Sequence, residues 1–106
     1  MAELLRSNYW IQTYTGRKYD FVYNYPEDIN IVDIAHALSQ KVRFEGHLQY
    51  PYSIAQHSLT VSAVMRKDKY SKEICLQALM HDAHEAYIPD FTRPLKMYLE
   101  EQMGVN

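Results

Sequence analysis

The sequence predicts an all-α domain with a small ribbon or extended arm near its N-terminus, on three observations. Apolar residues recur at helical spacing in Ile31, Ile34, Ala35, Leu38 and Val42, in Ile54, Val61, Val64 and Met65 with His57 on the same stripe, and in Ile74 and Ala78. Residues suited to capping, or polar breaks, stand between these segments. Only 3 glycines occur in 106 residues, which suits helices better than tight hairpins.

Taken in order, residues 1–8 read as a short helix or a loose arm. Between Tyr9 and Tyr25 the pattern Trp10, Gln12, Tyr14, then Tyr19, Phe21, Tyr23 fits two readings. One is a two-stranded ribbon turning at Thr15-Gly16; the other is an extended wrap across the helical core. Residues 1–25 form this arm and residues 26–106 the helical core. Pro26-Glu27-Asp28 punctuates the chain, and Asp28 or Asn30 caps a helix over residues 31–41. Residues 43–52, with Gly46 and Pro51, read as a loop, and Ser53 starts the next helix. After a polar break at residues 68–71, a helix is expected over residues 71–87, ended by Pro89-Asp90. Thr92-Arg93-Pro94 looks like the entry to a further helix with Leu95, Tyr98 and Leu99 facing inward.

Composition narrows the function classes. Hydrophobic residues at 47% and charged residues at 23% describe a folded globular chain, one domain at most. A net charge of -2 with pI ≈ 6.2 argues against a nucleic-acid polymer or an anionic membrane as partner, either of which needs a clustered basic excess. An anionic small molecule would have to be bound by a few placed cations. Cys75 is the one cysteine, so neither an internal disulfide nor a thiolate zinc cluster is available. No leader and no membrane-length apolar run is apparent, and the cytoplasm is the default compartment. Most of the 10 tyrosines are read as half-buried packing residues.

One constellation carries chemistry. On the expected helix, His81 and Glu85 at i and i+4 point the same way, with Asp82 at the edge of that face. His57 lies on the apolar stripe of the preceding helix, where an unpaired polar group would be costly. Two antiparallel helices joined by a short break bring these faces together. His57, His81 and Asp82 then supply three imidazole and carboxylate ligands, the set a borderline divalent ion takes, with positions left open for water and substrate. Glu85 beside them serves as proton acceptor or donor. Each piece alone has a bland reading: a core histidine, a chance His-Asp dipeptide, an exposed i,i+4 contact. Their conjunction favours the metal.

The segments Ile54-Ala55-Gln56-His57-Ser58, His81-Asp82-Ala83-His84-Glu85-Ala86 and Asp90-Phe91-Thr92-Arg93-Pro94-Leu95-Lys96 resemble the HD-domain phosphohydrolases. The likeness is to the branch of bacterial 5′-deoxynucleotidases and phage deoxynucleoside triphosphohydrolases. Ile34-Ala35-His36-Ala37-Leu38-Ser39 and Arg43-Phe44-Glu45-Gly46-His47 also read like its phage members. The resemblance spans about residues 10–96. It implies a cytoplasmic hydrolase in which water activated by a divalent metal (Mn, Co, Fe, Ni, Zn or Mg) attacks the phosphorus of a deoxynucleotide. His57, His81 and Asp82 would be metal ligands, Glu85 the acid/base group, and Arg43 the residue orienting the phosphate. Phe44 falls where the deoxynucleotidases have a tryptophan against the nucleoside, and Asp90 and Thr92 match a loop that holds the sugar. The family's fourth ligand is an aspartate on a later helix, beyond the equivalent of Asn106. The helical core is therefore expected to be incomplete at its C-terminal end. The alternative function is a catalytically incomplete module that binds metal or nucleotide or assembles with another chain, and self-association would cover its unfinished helical face.

Other residues receive structural readings first. His84 is expected to point aside, His36 to be buried and hydrogen-bonded, and Trp10 to anchor the arm. Arg17-Lys18 and Arg93 are read as solvated, and Cys75 as an inert core thiol. His47, which follows Gly46 in the loop before His57, stands evenly between pocket and scaffold and is kept as a candidate substrate contact.

Overall fold

Asn30 sets the first helix. Its side-chain oxygen accepts from the backbone N–H groups of Val32 and Asp33 at 2.7 and 3.3 Å, and helix α1 follows over Ile31–Gln40. Of the two caps the sequence offered, Asn30 is the one used. Ser53 starts α2 (Ile54–Lys67) with a reciprocal capping box: Ser53 Oγ accepts from the Gln56 N–H, and the Gln56 side chain accepts from the Ser53 N–H. Ser71 caps α3 (Lys72–Met80) through the Ile74 N–H. Helix α4 spans Arg93–Met103, with a proline in its first turn and Gly104 at φ +67 closing it in the left-handed region.

The computed structural model describes residues 4–104. Residues 1–3 of the expected N-terminal arm lie outside the described residues, as do residues 105–106. The fold is mostly helical with one two-stranded antiparallel ribbon, β1 (Trp10–Gln12) and β2 (Lys18–Asp20). The ribbon turns through Thr13–Arg17, with Gly16 at φ +88. No described helix is long and apolar enough to cross a membrane.

Two buried carboxylates tie the ribbon to the helices. Asp20 accepts from the N–H groups of Ser7, Val22 and Tyr23 and from the Ser7 hydroxyl. Burial alone would raise its pKa, but these donors outweigh it and hold the group ionised well below the usual carboxylate range. Asp33 on α1 accepts from Thr15 N–H at 2.7 Å and Thr15 Oγ at 2.9 Å, which docks the ribbon turn onto the helix. Tyr14 stacks on His36 at 3.8 Å between ring centroids. His36 is therefore half-buried under an aromatic ring, and no hydrogen bond of its imidazole is seen among the described residues.

The core is small: Ile34 and Leu38 of α1, Ile54 of α2 and Tyr87, flanked by Tyr19, Ala55, Met80, Ala83 and Ala86. Tyr19 stacks on Tyr87 at 4.2 Å. Helices α2 and α3 form an antiparallel hairpin, tied by Ser62 Oγ donating to the Cys75 carbonyl at 2.8 Å. Cys75 is half-buried beside this seam rather than in the core.

Two expectations are corrected. The helix expected over residues 71–87 ends at Met80, and a 3-10 turn follows at Ala83–Ala86. The cause is local: the His81 ring Nδ1 lies 2.6 Å from the Ala78 carbonyl oxygen and occupies the acceptor that the Asp82 N–H would need to continue the helix. Leu95 and Tyr98 do not face inward: they are 42% and 58% exposed, and only Leu99 is half-buried, because no described element lies against that face of α4.

Candidate metal centre

The open end of the α2–α3 hairpin gathers the titratable groups. His57 sits in the first turn of α2 and His81 immediately follows α3, so antiparallel packing brings their rings to 5.3 Å between centroids. Asp82 follows where the chain unwinds, and its Oδ2 lies 3.0 Å from His81 Nε2 and 3.9 Å from His57 Nε2. One donor atom from each of the three residues lies within 4.8 Å of the others.

The tautomer of His81 bears on what this cluster can hold. A carbonyl only accepts, so the short contact to Ala78 places a proton on His81 Nδ1. With no second proton the ring turns an Nε2 lone pair toward the Asp82 carboxylate. Two acceptors at 3.0 Å repel unless a proton or a cation lies between them. A histidine oriented through Nδ1–H to a backbone carbonyl is also the usual support of a metal-binding imidazole. The donor set thus fits a divalent ion with positions left open.

Arg43 approaches from the other side. The loop between α1 and α2 is pinned at its base, where Arg43 N–H donates to the Tyr52 carbonyl at 2.8 Å and Ile54 N–H to the Lys41 carbonyl at 2.9 Å. Its tip turns sharply: Phe44 and Glu45 have φ 55 and 54, and Gly46 has φ 81, so three consecutive residues are left-handed. The two non-glycine residues carry strain there. This turn lays the Arg43 guanidinium over the Phe44 ring at 4.7 Å and directs its Nη1 to His57 Nδ1 at 2.9 Å. Burial first, then the positive Arg43, hold the His57 pKa below its ordinary value.

Glu85 does not share a helical face with His81, because the helix has ended. It reaches the same cleft from the 3-10 turn, steadied by Lys41 Nζ donating to its backbone carbonyl. Burial, followed by a hydrogen bond and repulsion from Asp82 and repulsion from Asp90, pushes its carboxyl up to about 7. A carboxyl that exchanges its proton near neutrality suits acid–base work.

These groups line one cleft of about 540 Å³. Arg43, Phe44, His57, His81, Asp82, Glu85, Asp90 and Thr92 all border it. His47 does not: it is exposed at the end of the loop turn, and the structure does not bring it to the cleft. His84 is exposed and lies outside the cluster, as expected. Lys96, which the sequence reading did not single out, borders the cleft and pairs with Asp90 at 2.5 Å. Arg93 borders it too and is solvent-exposed, as expected. Both stand in the first turn of α4, which the loop at residues 88–92 brings to the cleft.

No family model matches the sequence. The chain is similar to the uncharacterized protein YfdR of Escherichia coli (strain K12), at 40% identity over 92 residues covering 87% of this chain. It is also similar to the uncharacterized protein RCAP_rcc00048 of Rhodobacter capsulatus, at 36% identity over 91 residues covering 82% of this chain. The matches take in 49% and 46% of those proteins, so the chain spans about half the length of the curated relatives it matches.

Proposed function

We propose that this chain carries the catalytic cleft of a metal-dependent phosphohydrolase of the HD-domain kind. It would cleave a phosphoester or phosphoanhydride bond of a (deoxy)nucleotide in the cytoplasm. The observation that carries the reading is the convergence of His57, His81 and Asp82 with Glu85 and Arg43 on one cleft. The resemblance of these residues to the HD phosphohydrolases supplies the reaction class.

His57 Nε2, His81 Nε2 and an Asp82 oxygen would hold the ion. A divalent ion bound there supplies Lewis acidity and a water acidic enough to attack phosphorus at neutral pH. Glu85, whose carboxyl exchanges its proton near pH 7, takes a proton from the attacking water or returns one to the leaving oxygen. Arg43 binds the phosphoryl oxygens through its guanidinium fork, which matches phosphate better than a lysine would. The Phe44 ring, 54% exposed at the rim, offers a face for the nucleoside. Asp90 and Thr92 stand where the sugar would lie, although Asp90 must share its carboxylate with Lys96.

The test is phosphate release by the full chain from a panel of deoxynucleoside mono- and triphosphates, with Mn²⁺ or Co²⁺ added. Turnover abolished by His81→Ala and by Asp82→Ala supports the enzyme. Metal bound without turnover supports instead the metal- or nucleotide-binding module. A folded chain that binds no divalent ion refutes both.

A further inference from the structure

The contact between Arg43 and His57 bears on ligation at His57. A guanidinium has five N–H donors and no acceptor, so at 2.9 Å the His57 Nδ1 must be the accepting atom. The neutral ring then carries its proton on Nε2. Yet Nε2 is the atom turned toward Asp82 and His81, the one that belongs to the donor cluster. A neutral imidazole has a single in-plane lone pair. It cannot accept from Arg43 at Nδ1 and bind a cation at Nε2 together.

The two bonds are therefore mutually exclusive, and Arg43 is placed to make the exchange. Its backbone is fixed to Tyr52, whereas its side chain rests on the face of the exposed Phe44 ring and can swing without moving the loop base.

We propose that Arg43 is a latch on the metal centre. Ligation by His57 Nε2 requires that ring to take up a proton from solvent at Nδ1 and release the one on Nε2, so the imidazole is neutral before and after the exchange. Nδ1–H is then a donor facing a donor, and Arg43 is displaced into the cleft. There its whole fork, including the Nη1 released from His57, faces a phosphoryl group once the ion is seated. By reciprocity, an anion that draws Arg43 from His57 favours ion binding. The inference rests on the metal-centre reading above and adds an order of events to it.

The experiment titrates Mn²⁺ alone into the full chain by calorimetry, and reads the His57 tautomer of the metal-free protein by ¹⁵N NMR. Arg43→Ala should bind Mn²⁺ about tenfold more tightly than wild type, the scale of one charge-assisted hydrogen bond removed. Arg93→Ala removes a charge from the same cleft without touching His57, and should gain about threefold or less. The wild-type ring should show its proton on Nε2. Equal gains in the two variants, no gain in Arg43→Ala, or an Nδ1–H tautomer in wild type overturns the latch while leaving a measured metal site intact. No binding by any variant overturns the metal centre and the latch with it. The tautomer reading needs no variant, so a misfolded Arg43→Ala does not rescue the proposal.

Discussion

Replacing Glu85 with glutamine should make the protein more stable above neutrality while removing its proposed acid–base group. The folded-state carboxyl is pushed from an ordinary 4.5 up to about 7, chiefly by burial and then by Asp82 and Asp90. Between those values the native state binds a proton that the unfolded chain has released. The stability this proton confers is fully present below about pH 4.5 and is lost as pH rises through about 7. For an enclosed group the displacement would correspond to about 3 kcal/mol; Glu85 is only half-buried, and solvent screening reduces this to about 1 kcal/mol. Glu85→Gln keeps the shape and the neutral form at every pH. The Lys41 bond is to the backbone carbonyl and survives the change. Urea denaturation in the presence of a chelator should find wild type and variant alike at pH 4.5. At pH 8 the variant should lead by about 1 kcal/mol, or roughly 4–8 °C in Tm for a domain of this size. Equal stability at pH 8, or a variant that tracks the wild-type pH profile, would refute the assignment of a strained carboxylate to Glu85.

Three further outcomes are expected. Mn²⁺ at about a hundred times its dissociation constant should stabilise wild type by about 2.7 kcal/mol, and His81→Ala should show none of this shift in thermal denaturation. Asp33→Asn should cost about 2 kcal/mol in urea denaturation, with amide protection lost first at Thr15, because the amide turns an N–H₂ group toward one of two donors. Glu45→Gly should be neutral to stabilising by about 0.5 kcal/mol despite the entropy glycine adds, since Glu45 sits at φ 54; a loss above 1 kcal/mol would contradict backbone strain at that turn.

The parts of the fold written in local chemistry were readable from the sequence. Asn30 and Ser53 announce their helices as capping residues, and Thr15-Gly16 marks the ribbon turn because glycine accepts a positive φ there. The convergence of His57, His81 and Asp82 across two antiparallel helices was readable as well, although the unwinding that presents Asp82 and Glu85 was not. A periodic pattern through Glu85 hides the bond from the His81 ring to the Ala78 carbonyl, which stops the helix one residue before the cluster. Periodicity records which face is apolar and is silent about a side chain that competes for a backbone acceptor. The same limit applies to α4: an amphipathic stripe promises an inward face, yet Leu95 and Tyr98 stay exposed. Arg43 on His57, and Lys96 of α4 on the loop residue Asp90, are contacts with no spacing rule to reveal them.

The α2–α3 hairpin is joined covalently at one end, through residues 68–71, and faces its three donors at the other. Anything that binds all three converts an open fork into a closed ring of some 25 residues. In chain-entropy terms this resembles a cross-link more than a local contact, because the freedom removed belongs mainly to the unfolded chain. The ends of α2 and α3 that carry the donors would then be fastened to each other, and the chemistry of the cleft and the persistence of its scaffold would rise and fall together.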